Sequence, residues 1–332
     1  MSETETDAER EAGSQIEDEG QEEEDEEKEE QPEPKPLTTE ILAESLSLLC
    51  KTGNSLSHAY VRADLRDREL TDINALRPFV HLRYVDISGN MIQDISPLAN
   101  LSQLLWVSAD GNHLSSAQVE ELPFLQVASF ARNSIRDTEG IYHPLLETLN
   151  LNNNQIREVS GLDPMKLSRL HTLELRGNLL ESTRGIILPN LRHLYLAANT
   201  ISRLEDLDAL TGLQTLHLRE NHIETLQGFS PTMVALQYIN LRSNLIVEIN
   251  ELKHLECVPN LRALVLADNP CAEEDSHRLE ALLTVPGLER LDKDSFGIDE
   301  RAEAASTRKQ REEEAAAEKA AKDQDIEGLD TT

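Results

Sequence analysis

Apolar and polar residues follow one template along most of the chain. In "LETLNLNNNQI" (Leu146 to Ile156) the order is apolar, two free, apolar, one free, apolar, two free, Asn, one free, apolar. The same order recurs in "LRYVDISGNMI", "LLWVSADGNHL", "LQVASFARNSI", "LHTLELRGNLL", "LRHLYLAANTI", "LQTLHLRENHI" and "LQYINLRSNLI", and a ninth copy, "LRALVLADNPC", ends differently. The asparagines are Asn90, Asn112, Asn133, Asn154, Asn178, Asn199, Asn221, Asn244 and Asn269, spaced 21 to 25 residues apart. Nine copies at nearly constant period predict a stack of coils, each built from one copy and each burying its apolar face against the next.

Each position has a physical reason. The Leu-x-Leu alternation predicts a short strand with its leucines inward, and stacked coils bring these strands into a parallel sheet. The Asn falls where the chain leaves the strand. Its amide offers donors and an acceptor together, so it can satisfy backbone groups that the bend buries. Beyond the Asn, apolar residues return every third position, as in Ile201, Leu204, Leu207 and Leu210, a spacing that suits 3₁₀ or short helical turns. The predicted fold is therefore α/β: a leucine-rich-repeat solenoid with a curved parallel β-sheet on its concave face, a 3₁₀ or short-helical convex wall and helical caps.

The ends depart from the template. Shifted by one period, "YVRADLRDRELTDI" (Tyr60 to Ile73) reads as a degenerate first coil, with Tyr60, Ala63, Leu65, Leu70 and Ile73 in apolar slots and Arg68 in place of the Asn. Before it, "PLTTEILAESLSLLC" reads as a helix capped by Thr38 or Thr39, with Leu42, Leu46 and Leu49 on one face. At the other end "EEDSHRLEALLTVPGLERLD" reads as a helix and a final turn, in which Leu279, Leu282 and Leu283 plug the last coil. The expected organisation is an acidic disordered tail over 1–36, a helical cap over 37–59, the solenoid over 60–271, a C-terminal cap over 272–298, and a charged helical or disordered tail over 299–332. The last of these lacks an apolar stripe, so it predicts a solvated or partner-dependent helix.

Composition narrows the function. The net charge is −31, and residues 1–35 alone hold 17 acidic and 3 basic side chains. A block such as "EEEDEEKEE" has no apolar surface to offset the entropy of ordering. The acidic balance argues against broad binding to nucleic acid or anionic membranes, and no apolar run is long enough to span a bilayer. The start lacks the pattern of a secretory leader. Three cysteines far apart (Cys50, Cys257, Cys271) predict reduced thiols in a cytosolic compartment. No phosphate-binding glycine loop, nucleophile elbow or zinc motif is present. Glu174, His193 and His217 fall on a zigzag across three coils, but an open polar surface accounts for them more simply than a metal or a catalytic site, because it does not exclude water. The sequence thus predicts no enzyme, cofactor, metal or small-molecule substrate.

The information lies where the repeat is free. Three outward positions per strand line the concave face. Tyr84, Trp106 and Val127 are side by side in the first of them, an apolar patch on a surface expected to be polar. Further along, His193, Tyr195, His217 and Tyr238 lie among Arg176, Arg219 and Arg242, and aromatics with Arg are enriched at interface hot spots. These ten residues are the candidate partner-binding set. Two other readings stay open: that Trp106 is covered by the chain's own N-terminal tail or is a tolerated aromatic, and that the arginines pair with the tail or with local carboxylates.

The segments "LSLLCKTGNSLSHAYV", "ELPFLQVASFA", "DTEGI", "LRALVLADNPC" and "LERLDK" resemble the radial-spoke leucine-rich-repeat proteins of motile cilia and sperm flagella, over about residues 37–300. The segments outside the leucine frame make the resemblance specific. It implies a non-enzymatic structural protein of the cytoskeleton, in the axoneme of cilia and flagella, whose partners are radial-spoke and other axonemal proteins and which serves motility. The repeat period alone also resembles the phosphatase-binding leucine-rich-repeat regulators, which would use the same concave face to bind a Ser/Thr protein phosphatase. A third alternative, an acidic binder of basic proteins, rests on the tail.

Overall fold

The computed structural model describes residues 34–53 and 57–329. The expected acidic tail falls outside it up to residue 33. Near the end of that expected tail Lys35 is fixed: its carbonyl accepts from Thr71 N, its N–H donates to the Thr71 hydroxyl at 2.8 Å, and its ammonium pairs with Glu69 at 2.9 Å.

Thirteen strands form one sheet in chain order. From β2 (His58–Asp64) to β12 (Arg290–Leu291) neighbours run parallel, through β3 (Tyr84–Asp86), β4 (Trp106–Ser108), β5 (Val127–Ser129), β6 (Thr148–Asn150), β7 (Thr172–Glu174), β8 (His193–Tyr195), β9 (Thr215–His217), β10 (Tyr238–Asn240) and β11 (Ala263–Val265). The fold is the expected leucine-rich-repeat solenoid. The frame leucines form one continuous core, and 3₁₀ turns such as Ser96–Asn100 and Leu207–Ala209 build parts of the opposite wall.

All nine frame asparagines are buried. Each Oδ1 accepts a backbone N–H from the coil before, as Asn154 does from Ile135 at 3.0 Å. Each Nδ2 donates to carbonyls of two successive coils, and most of these carbonyls receive two asparagines in turn: Leu151 O accepts from both Asn154 and Asn178, at 3.0 Å each. A polar ladder therefore runs through the core, with no buried side-chain nitrogen or oxygen left unpaired among the described residues. The residue before every ladder Asn has positive φ, from Gly89 at 69° to Ala198 at 54°. That left-handed step turns the chain out of the strand and sets the amide inward.

The N-terminal cap differs from the sequence expectation. A helix, α1 (Thr39–Ser45), forms with Thr38 as its cap, the Thr38 hydroxyl accepting from Ile41 N at 3.3 Å. It stops before Leu46, and Leu46–Lys51 is a strand, β1, antiparallel to β2. Leu42 is buried as expected, but Leu49 is exposed and Leu46 half-buried. The helical leucine spacing is overridden because an unpaired edge of β2 costs more than a short helix gains. Tyr60 is correspondingly 46% exposed and does not fill an apolar slot, since the strand's alternation turns Val61 and Ala63 inward instead.

At the other end, α2 (His277–Thr284) buries Leu282 and Ala281, with Leu279 and Leu283 packed at the edge of the core. The hairpin of β12 with β13 (Asp294–Ser295) closes the sheet. Both ends of the parallel array thus finish in an antiparallel pair. The final helix, α3 (Ile298–Leu329), is not wholly solvated as expected. Its first turns dock on α2 without an apolar stripe. Glu300 pairs with Arg278 at 2.9 Å, Arg311 grips Glu280 through both amino groups, and Arg308 donates to the Leu282 and Leu283 carbonyls at 3.1 and 2.7 Å. Those carbonyls belong to the last turn of α2, which leaves them without helical partners. Arg308→Ala is therefore expected to cost about 1–2 kcal/mol and to raise amide exchange in residues 298–311 while the central coils keep theirs. Unchanged exchange there would show that Arg308 does not hold α3.

The concave face as candidate interaction surface

Strand register fixes which side chains meet. Tyr84 is opposite Trp106 and Trp106 opposite Val127, so the three expected neighbours are adjacent on the outward face. Tyr84 is exposed; Trp106 and Val127 are half-buried, with the frame residues Val85, Val107 and Ala128 buried beneath them. The β1–β2 pairing sets exposed Leu49 against exposed Tyr60, two residues before Arg62, the residue opposite Tyr84. Sequence reasoning missed these two by assigning one to a helix and the other to the core. The reading in which the N-terminal tail covers Trp106 falls on residues outside the described ones.

The second group forms a stacked column along the sheet. The Tyr195 and His217 rings stack at 4.8 Å, and His217 meets Tyr238 at 5.1 Å in a tilted pair. The Arg176 guanidinium lies 5.9 Å from the Tyr195 ring centre. Consecutive strands bring these rings together because parallel neighbours stand about 4.8 Å apart. Burial, then the nearby charges of Arg176 and His193, hold the His217 imidazole below its usual pKa, so it is a neutral stacking ring at pH 7. His193 faces Thr172 and Thr215, two residues before Tyr195 and in the register row that continues to Tyr238. Arg242 pairs with Asp268 at 2.7 Å and Arg219 with Glu220, so the local-carboxylate reading applies to these two arginines. Arg176 has no ion-pair partner among the described residues.

The Glu174, His193 and His217 zigzag does not converge. Glu174 accepts from Asn152 Nδ2 at 2.6 Å, and among the described residues no group of three or more His, Cys, Asp or Glu is placed to hold a metal ion. The three thiols are free, and burial pushes Cys271 up to about 11, which leaves it unreactive. Among the described residues no helix is long and apolar enough to cross a membrane. What the surface offers is a polar, aromatic and cationic face on a rigid sheet, suited to contact with another macromolecule.

Comparison with known proteins agrees with this architecture. Leucine-rich repeat families match residues 194–321 and 145–170. The chain is 55% identical over 278 residues to leucine-rich repeat-containing protein 23 of Homo sapiens, covering 84% of this chain and 81% of that one. It is also 36% identical over 110 residues to human cilia- and flagella-associated protein 410, covering 32% of this chain and 43% of that protein. Among solved structures, a Leptospira interrogans LRR protein superposes with a TM-score of 0.56 at 23% identity, covering 69% of this chain and 60% of that one; this shows the shared fold.

Proposed function

The chain belongs to the leucine-rich repeat-containing protein 23 family, and from that membership we propose that it is a non-enzymatic interaction scaffold of the axonemal radial spoke, serving the motility of cilia and sperm flagella. The observation that carries the reading is identity above one half across four fifths of both chains. The similarity to a cilia- and flagella-associated protein supports the ciliary setting. The radial spoke itself enters through the sequence resemblance of segments such as "LCKTGNSLSHAY" and "DTEGI", which the leucine frame does not require.

The geometry suits a scaffold. Frame side chains are committed to the core, so outward positions vary without cost to the fold. They place the patch around Tyr84 and Trp106 at one end of the sheet and the column of Arg176, Tyr195, His217 and Tyr238 further along, available to spoke and other axonemal proteins. The test is fractionation of flagella. The protein should stay with the axoneme through detergent extraction, and a photo-crosslinker at Tyr84 or at Tyr238 should capture spoke proteins. A wholly soluble pool in flagellated cells would sink the proposal.

A further inference from the structure

Strand β11 presents only small outward side chains between larger neighbours. Its free positions, continued one step beyond the strand, hold Ala263, Val265 and Ala267, whereas β10 on one side presents Tyr238 and the β12–β13 hairpin on the other presents Arg290 and Lys293. Small residues between large ones leave an open dish of about 650 Å³. Its floor includes Val265 and Ala267. Its rim is cationic on both sides, with Arg219 and Arg242 facing Arg290 and Lys293 across the floor.

The charges there are unevenly satisfied. Arg219 and Arg242 each hold a neighbouring carboxylate. Arg290 and Lys293 have no ion-pair partner among the described residues. Of the two acids at the dish, Asp292 is engaged by the backbone, accepting from Leu266 N and Ala267 N at 2.8 Å each. Asp294 is the second acid there, and neither forms an ion pair with Arg290 or Lys293. Arg290 and Lys293, two exposed cations without an ion pair beside an apolar floor, are complementary to carboxylates flanking an apolar side chain.

We infer that this dish is a docking site for an acidic, extended segment of a partner protein, which seats an aliphatic or aromatic side chain on Val265 and Ala267 and directs its carboxylates to Arg290, Lys293 and the Arg219–Arg242 side. The inference rests on the scaffold reading and names the chemistry of one partner. An acidic peptide fits better than a nucleic acid. A peptide alternates apolar and charged groups as the dish does, whereas a nucleic acid strand carries a charge at every unit.

The test uses the full chain and a fluorescently labelled random copolymer of Glu and Tyr, read by anisotropy, with polyglutamate and oligouridylate as comparisons. The copolymer should bind more tightly than polyglutamate, and the double variant Arg290→Glu, Lys293→Glu should weaken it by roughly tenfold or more. Both side chains are exposed, so the variant should melt as the wild type does. Val265→Glu should weaken binding independently through the floor, and Met165→Ala, at an exposed position outside both the dish and the candidate partner-binding set, should leave it unchanged. Wild-type affinity in the double variant, equal binding of polyglutamate, or tighter binding of oligouridylate would each overturn the inference. Axonemal retention of a chain indifferent to the copolymer removes this site and keeps the scaffold; copolymer binding through the dish by a chain that is wholly soluble in flagella does the reverse.

Discussion

Asn154→Leu is expected to destabilise the protein by about 3 kcal/mol, measured by urea denaturation. Leucine matches the volume, so the cost is not a cavity. Asn154 Oδ1 accepts from Ile135 N, and Nδ2 donates to the Phe130 and Leu151 carbonyls, all at 3.0 Å. The two carbonyls keep a second partner, Asn133 for Phe130 and Asn178 for Leu151. The Ile135 amide has this one acceptor, and an orphaned buried N–H costs about 1–3 kcal/mol. The lost share of two doubly bonded carbonyls adds to it. Asn154→Asp sharpens the test. It retains the acceptor for Ile135 but aims a carboxylate at two carbonyl oxygens, so it should be at least as damaging at pH 7 and recover as the pH falls and the acid protonates. A loss below about 0.5 kcal/mol in the leucine variant, within the range of ordinary surface changes, would mean that the ladder does not hold the coils together.

The ladder was legible from sequence because each Asn occupies a frame position and its role follows from amide chemistry. So were the strand register and the adjacency of Tyr84, Trp106 and Val127, which follow from the period alone. The left-handed residue before each Asn was not legible. Gly fills it at Gly89, Gly111 and Gly177, but Arg132, Ala198 and Glu220 adopt the same φ, because coil stacking enforces a conformation that residue preference alone would not reveal. The β1 strand was hidden for a related reason: Leu42, Leu46 and Leu49 have helical spacing, and only the exposed edge of β2 decides otherwise. The dish at β11 was half visible. Ala263, Val265 and Ala267 could be read as small, but Arg290 and Lys293 come from a closing hairpin outside the regular period. The docking of α3 through arginines on carbonyls left no apolar signature to read.

His143 is a second feature that the repeat conceals, and it should make the fold sensitive to acid. It lies three residues before the first frame leucine of its coil, a slot held elsewhere by Leu101, Leu122, Leu167, Leu188, Leu210 and Met233, and like them it is buried, with 1% of its surface exposed. Its Nδ1 accepts from Leu122 N at 3.2 Å, so the neutral ring carries its proton on Nε2. Burial pushes its pKa down to about 4. The unfolded chain, with an ordinary imidazole near 6.5, therefore binds a proton that the folded state refuses. Stability contributed by the neutral ring is complete above pH 6.5, falls as the pH drops, and levels off below about 4, a total of about 3 kcal/mol. Most of the loss precedes the protonation of ordinary carboxylates, which separates the two effects. His217 also titrates low, so the contribution of His143 is isolated by subtraction. His143→Leu keeps the volume but orphans the Leu122 amide; His143→Asn keeps an acceptor near Nδ1 but leaves a void. Each should cost about 1–3 kcal/mol at pH 7.5. Neither can titrate at this site, so their deficit relative to the wild type should shrink steadily between pH 6.5 and 4.5, by roughly 2.5 kcal/mol in all. Wild-type and variant stability curves that stay parallel through that window would show that His143 takes up its proton in the folded protein, and that the buried slot does not impose the neutral form.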